Sequence, residues 1–273
     1  MPLDPNLKSG DPWVFDLEVA ENFSEYFARS VPSLYQLRLY AAVLAGRFIR
    51  PGMSMVDLGC ARGQMINDVL SRFHVEHQGV LRCYGIDSSE PMCELARADL
   101  AGFPGVEIAY RRIEQLGFGG AEPVSLVTSI MSLSFVPRNH WPAVMRHAYD
   151  RLEPGGAFLV ADKVACRDAG LNELFTDEHR SFKRSRGFTL EDILRKEASL
   201  RGVMEPPSSL QLETHLSYAG FESVECFWRC LNFGGWIAVK EGVLRNMGKT
   251  GRKSPRGRKG MGKKPSKPVK YGK

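Results

Sequence analysis

Apolar positions recur at two different periods along this chain, and their alternation predicts its architecture. Val19, Phe23 and Phe27 stand four residues apart, which predicts a helix from about Phe15. It breaks at Val31-Pro32, because the residue before proline is pushed out of the helical region. A second amphipathic helix is predicted over 33–48. Short apolar runs follow, beginning at Met55 and then at 80–87, 106–110, 124–130 and 157–161, and these read as strands. Ser88-Ser89-Glu90-Pro91 predicts the start of a helix that continues to about Ala101, and Leu152-Glu153-Pro154-Gly155-Gly156 predicts a turn ahead of the fifth strand. Helical patterns cover 169–181, 189–200 and 208–219, the last closed by Gly220. Two further strands, 223–229 and 236–240, joined through Asn232-Phe233-Gly234-Gly235, are predicted to close the sheet with an antiparallel edge. Strands alternating with helices predict an α/β, Rossmann-like sheet of seven mostly parallel strands, with helices on both faces. The helical stretch before the last two strands is longer than a crossover requires, so part of it is expected to cap the active site or make a subunit contact.

Charge divides the chain more sharply than hydropathy does. Of 37 Lys and Arg, twelve fall from Arg245 onward, where there is no Asp or Glu, leaving 25 against all 31 acidic residues in 1–244. Residues 1–14, with three prolines, read as an extended leader, 15–244 as the folded domain, and 245–273 as a basic tail without apolar period that is expected to be disordered. Such a tail gains affinity for nucleic acid or another polyanion by counterion release. A tail that only solubilises is the alternative. No apolar run is long enough to cross a bilayer and the start lacks the pattern of a signal peptide, so a cytoplasmic protein is expected. The six cysteines are scattered and no His or Cys stands at metal-ligand spacing, so reduced thiols and no metal site are expected.

The chemistry concentrates at Met55-Val56-Asp57-Leu58-Gly59-Cys60-Ala61-Arg62-Gly63. A strand ends in an acid, and two glycines four apart lead into a helix. Glycine lets backbone approach a ligand closely, and the carboxyl ends of parallel strands are where open α/β sheets bind ligands. Alone, this stretch is equally a structural turn. The next strand also ends in an acid, Asp87, placed to accept hydrogen bonds from a ribose diol, so the pair fits an adenosyl group. No Lys-Ser or Lys-Thr follows Gly63, which argues against a phosphate loop.

These features resemble class I S-adenosylmethionine-dependent methyltransferases, which implies S-adenosylmethionine as cofactor and the two helices ahead of the first strand as a helical N-terminal cover for it. Within that fold, several stretches resemble the carboxy-S-adenosylmethionine synthases: Phe15-Asp16, Arg29-Ser30-Val31-Pro32, Asp57-Leu58-Gly59-Cys60, Ile86-Asp87, Pro154-Gly155-Gly156-Ala157, Phe182-Lys183-Arg184, Val203-Met204, Thr214-His215, Ala219-Gly220-Phe221 and Asn232-Phe233-Gly234. The resemblance spans roughly residues 12–240 in one register. It implies a homodimer that turns S-adenosylmethionine and prephenate into carboxy-S-adenosylmethionine for modification of tRNA wobble uridine. It also implies a cofactor loop at Gly59, Cys60 and Ala61, and a ribose contact at Asp87 with Ser88 beside it.

The departures are equally specific. Arg112 stands where the family has an Asp beside adenine, leaving the backbone at Ile113 for that contact. Ile130 replaces an Asn, and Leu34 a Tyr for which the adjacent Tyr35 is a substitute. Glu197 stands where the family has an Arg that pairs with the extra carboxylate, and a carboxylate there would repel the ligand unless Arg195, Lys196 or Arg201 takes over. Arg29, Lys183, Arg184 and Lys196 are the candidates to hold the carboxylates of prephenate, or else solvated helix faces. Ser132, Ser134 and Phe135 are expected at the mouth of the site. Three readings follow: a diverged methyltransferase, a working carboxy-S-adenosylmethionine synthase, and a non-catalytic fold docked on nucleic acid or an assembly by its tail.

Overall fold

A computed structural model describes residues 13–50, 52–76 and 80–242. The chain divides into two units, Met1–Gly242 and Val243–Lys273. The expected basic tail, and the leader up to residue 12, lie outside the described residues.

Helices α1 (Leu17–Ser30) and α2 (Leu34–Phe48) come first. Asp16 starts α1 by accepting from the Val19 amide at 2.9 Å, and the chain leaves the helix at Val31, before Pro32. The alternating body follows: β1 (Ser54–Leu58), α3 (Gln64–Glu76), β2 (Arg82–Asp87), α4 (Glu90–Asp99), β3 (Val106–Tyr110), β4 (Val124–Ile130), α5 (Trp141–Arg151) and β5 (Leu152–Lys163). Three helices, α6 (Ala169–Ser185), α7 (Leu190–Ser199) and α8 (Ser209–Tyr218), precede β6 (Ser223–Cys230) and β7 (Phe233–Val239). The strands form one sheet in the order β3-β2-β1-β4-β5-β7-β6. β7 runs antiparallel to both β5 and β6, so the inverted strand lies one in from the edge and β6 closes it.

Neighbouring residues of β1 face opposite ways, and both ways are buried. Val56 and Leu58 join Trp141, Met145, Leu212 and Leu216 on the side of α5 and α8. Met55 joins Ala41, Ala45, Ile66 and Leu70 on the side of α2 and α3. Each such aliphatic side chain contributes about 1.5–3 kcal/mol, so the sheet centre is fixed firmly and its strand ends can carry polar groups.

Two predicted turns are placed differently. β5 already pairs at Leu152, opposite Val124, and its ladder resumes with Ala157 opposite Leu126, so Glu153 to Gly156 form an irregularity within the strand. Arg50 holds it by donating to the Gly155 carbonyl at 2.7 Å. The final hairpin turns at Leu231 and Asn232, with Leu231 at φ 47°, while Gly234 and Gly235 lie within β7. Their bare backbone leaves room for rings: a Cβ at Gly234 would collide with Trp236, and one at Gly235 would come within 2.8 Å of Phe227.

Candidate functional site

The sheet order reverses between β1 and β4, and a cavity of about 500 Å³ opens at the carboxyl ends of β1, β2 and β4. Asp57, Gly59, Cys60 and Ala61 line its floor. Asp57 is buried and accepts from Thr128 Oγ1 at 2.6 Å. Burial pushes its carboxyl up to about 7, against the Thr128 bond, and the neighbouring charge of Asp87 adds to the rise. The Cys60 thiol is pushed upward by burial and by the same two acids, so it stays protonated.

Gly59 has a positive φ of 72°, and a Cβ on it would run into the side chain of Ser132. That serine is locked in place, donating to the Leu58 carbonyl at 2.6 Å and standing 2.7 Å from Ser129 Oγ. The loops after β1 and β4 therefore touch across the cavity floor because residue 59 has no side chain.

Asp87 ties the cofactor loop to the start of α4. Its Oδ2 accepts from the Ala61 amide and its Oδ1 from the Ser89 amide, both at 2.9 Å. Burial raises its pKa although these bonds oppose the rise. The Ser88 amide is a third backbone donor to it, and a carboxylate has about four acceptor positions, so capacity remains for a ligand hydroxyl. Ser88 lines the cavity beside it. Beyond β3, Arg112, Ile113 and Glu114 form the next stretch of wall. Ile113 is buried, whereas the Arg112 side chain is 71% exposed, with Nη1 3.8 Å from Glu114 Oε1. Glu114, whose side chain is 19% exposed, thus brings an acceptor to the rim where Arg112 has none.

Aromatic residues form the cover. Trp13, Val14 and Phe15, with Phe23 and Phe27 of α1, line the side opposite the sheet. Ser89 Oγ donates to the Phe15 carbonyl at 2.6 Å, and Phe15 meets Phe135 edge to face at 5.3 Å. Leu34, Arg38, Ile130, Met131 and Val203 complete much of the wall. Phe23 and Phe27 belong to the helical cover expected ahead of the first strand, whereas Trp13, Val14, Phe15 and Glu114 lie outside the expected site residues. Two aromatic residues, Trp13 and Phe15, just before the helix cap Asp16 are the available signal for the first three of these.

Other expected residues lie elsewhere. Tyr35 is 73% exposed and does not line this cavity, because Leu34 takes the inward position at the start of α2. Gly63 also stands off the cavity; its bare Cα accommodates the Leu100 side chain. Ser134 is buried away from the mouth, donating through Oγ and amide to Asp162 at 2.7 and 2.8 Å. Arg29 donates to the Arg186 carbonyl at 2.9 Å and lies over Phe188 at 4.6 Å, and Arg184 is exposed. Lys183 and Glu197 meet each other at 3.6 Å, outside the cavity. The carboxylate expected to repel the ligand is therefore spent on cations of its own chain.

Lys196 is buried over the Trp13 ring, with Tyr26 beyond. Ring faces favour an ammonium, but burial outweighs them and pushes Lys196 down to about 5, with Lys183 adding to the fall. The unfolded chain thus binds a proton that the folded chain lacks, and stability attributable to this group rises with pH between about 5 and the ordinary lysine value. Lys196→Met is expected to stabilise the fold, by more at pH 6 than at pH 9. Denaturant titrations at the two pH values check this; a loss of stability at both would mean that the lysine is held charged.

The sheet order and the ligand cavity at the ends of β1, β2 and β4 define a protein of the S-adenosylmethionine-dependent methyltransferase fold. Residues 55–156 match a family model described as a methyltransferase domain. Among solved structures, a putative S-adenosyl-L-methionine-dependent methyltransferase from Methanococcus maripaludis is similar at TM-score 0.54 and 18% identity, covering 86% of this chain and 97% of that one. Human N-acetylserotonin methyltransferase in complex with SAM is similar at TM-score 0.55 and 14% identity, covering 82% of this chain and 55% of that one. Two curated relatives extend the comparison along nearly the whole chain. The carboxy-S-adenosyl-L-methionine synthase of Glaesserella parasuis is 35% identical over 239 residues, 86% of this chain and 96% of the relative. That of Klebsiella pneumoniae is 33% identical over 241 residues, 87% and 95%. The chain belongs to the carboxy-S-adenosyl-L-methionine synthase family, and S-adenosylmethionine is its cofactor or substrate.

Proposed function

We propose that this member of the family is an S-adenosylmethionine-dependent methyltransferase that has left the synthase reaction of its relatives. The observation that carries the reading is the state of Glu197. It stands where the resemblance calls for a cation, and it is paired with Arg180 and Lys183 away from the cavity. Among the described residues, the basic side chains lining the cavity are Arg38, held by Asp68 at 2.7 Å, and Arg112, which is mostly exposed. Asp57, Asp87 and Glu114 line the same cavity. Such a wall suits a ligand whose donors are an ammonium, a diol and an amino group around a cationic sulfur, and it offers little to an added carboxylate.

In this reading S-adenosylmethionine supplies an activated methyl group. Asp87 orients the ribose, Asp57 sits beneath the methionine part, and Ile113 with Glu114 borders the adenine. Trp13, Phe15, Phe23, Phe27 and Phe135 exclude water from the transfer path, and positioning rather than proton transfer supplies most of the rate. Residues 245–273 bring the domain to an acidic partner such as nucleic acid.

The identity of the relatives favours a second reading, carboxy-S-adenosylmethionine synthesis in support of tRNA modification. Mass spectrometry of the protein incubated with S-adenosylmethionine and prephenate separates the two. The methyltransferase reading expects no carboxy-S-adenosylmethionine above a no-enzyme control, either here or released from the protein as purified. Its accumulation over many turnovers would put the synthase first.

A further inference from the structure

The cofactor cavity offers an incoming methyl acceptor very little that could take its proton. Among the described residues that line it there is no His, Lys or Tyr. Asp57 lies on the floor and accepts from Thr128, while Asp87 is bonded to amides of the cofactor loop and of α4. The Cys60 thiol is held protonated by burial and by these two acids. The Ser132 hydroxyl donates to the Leu58 carbonyl and the Ser89 hydroxyl to the Phe15 carbonyl, each at 2.6 Å. Glu114 stands at the rim beyond β3, beside Arg112. An acceptor that must lose a proton in order to attack, an alcohol above all, therefore finds no base on the cover side.

That side is built of rings. Phe15 meets Phe135 edge to face at 5.3 Å and Phe23 at 6.3 Å, and Phe23 stacks on Phe27 at 5.0 Å. Such rings pack well on a flat aromatic ligand, and their faces attract a cation. The acids lining the same cavity, Asp57, Asp87 and Glu114, favour positive charge as well. A thiolate or carboxylate acceptor is disfavoured by the same wall.

These two properties select one class of nucleophile, a weakly basic ring nitrogen of pyridine or quinoline type. It is neutral near neutral pH, carries a lone pair and has no proton to lose. We propose that the methyl acceptor is such a heteroaromatic nitrogen, lodged against Phe15 and Phe135. The nitrogen lone pair forms the new bond to the methyl carbon, the S–C bond breaks, and its electron pair goes to sulfur. Positive charge passes from the sulfonium to the ring nitrogen, S-adenosylhomocysteine is released, and no proton moves. The charge stays between the aromatic cover and the acidic floor throughout, so the site that receives the cationic cofactor also suits the cationic product. The proposal rests on the methyltransferase reading and names its acceptor.

Quinoline, naphthol and naphthalenethiol are the probes, each offered to the full chain with S-adenosylmethionine and followed by mass spectrometry against no-enzyme controls. N-methylquinolinium is expected to form about a hundredfold faster than the naphthyl ether, the loss that a missing general base imposes. Preferred methylation of naphthol or of the thiol would overturn the acceptor and leave the methyltransferase reading standing. Transfer to none of the three, with S-adenosylmethionine bound, would overturn that reading and the acceptor with it. A second measurement needs no turnover. On protein saturated with S-adenosylhomocysteine, N-methylquinolinium is expected to bind about tenfold more tightly than methylnaphthalene, which has its shape without the charge. Phe135→Leu should remove most of that difference. Equal binding of the two compounds, or a difference unchanged in Phe135→Leu, would overturn the proposal.

Discussion

Asp87→Asn is expected to weaken S-adenosylmethionine binding by about two orders of magnitude while leaving the fold in place. Asp87 accepts the amides of Ala61 and Ser89 and keeps acceptor positions toward the cavity. Asparagine has one oxygen where aspartate has two, and its NH2 group would point donors at one of those amides and at a ribose hydroxyl. Hydrogen bonds to a charged acceptor are worth about 1.5–3 kcal/mol each, so losing one and weakening another amounts to roughly 3 kcal/mol, about a hundredfold in Kd. Calorimetric titration measures the loss, with the melting temperature as the control for folding. A change of less than about threefold would remove Asp87 from the ribose contact.

The second large effect is expected from Gly59→Ala, which should destabilise the protein by about 2–5 kcal/mol and abolish cofactor binding. Two costs add. A left-handed backbone costs an alanine roughly 1–2 kcal/mol, and the new methyl must displace Ser132, whose hydroxyl is fixed to the Leu58 carbonyl. Gly202→Ala isolates the first cost, because Gly202 shares the φ of 72° yet has nothing within 4 Å of its would-be Cβ. Urea unfolding of the two variants should therefore differ by roughly the overpacking cost of 1–3 kcal/mol. Equal losses would mean that the Ser132 loop yields freely and that the floor of the cavity is not the tight contact described.

The sheet and the cofactor loop were legible in the sequence because local signals coincide there. An apolar run, a terminal acid and two glycines four apart all point to the same strand end, at Asp57 and Gly59. Contacts between distant segments were harder to read. Trp13 to Phe15 show no period, and their place over the cavity depends on the Ser89 hydroxyl, 74 residues away. Glu114 lies in a single turn, Ile113–Gln115, where neither helical nor strand periodicity marks an inward side. Charge was the least legible of all. The sequence presents Lys183, Lys196 and Glu197 as charged residues near family-like motifs, but it does not say which charge meets which. Folding pairs Glu197 with Arg180 and buries Lys196 against a ring, so residues expected to meet a ligand meet one another. Tyr35 was readable: a helix that turns Leu34 inward sends its neighbour about 100° round the axis, toward solvent.

The most direct test of the account is a pair of calorimetric titrations of the full chain, one with S-adenosylmethionine and one with carboxy-S-adenosylmethionine. The acidic wall of the cavity and the internal pairing of Glu197 predict that S-adenosylmethionine binds at least tenfold more tightly. Tighter binding of carboxy-S-adenosylmethionine would contradict the account and return this chain to the reaction of its relatives.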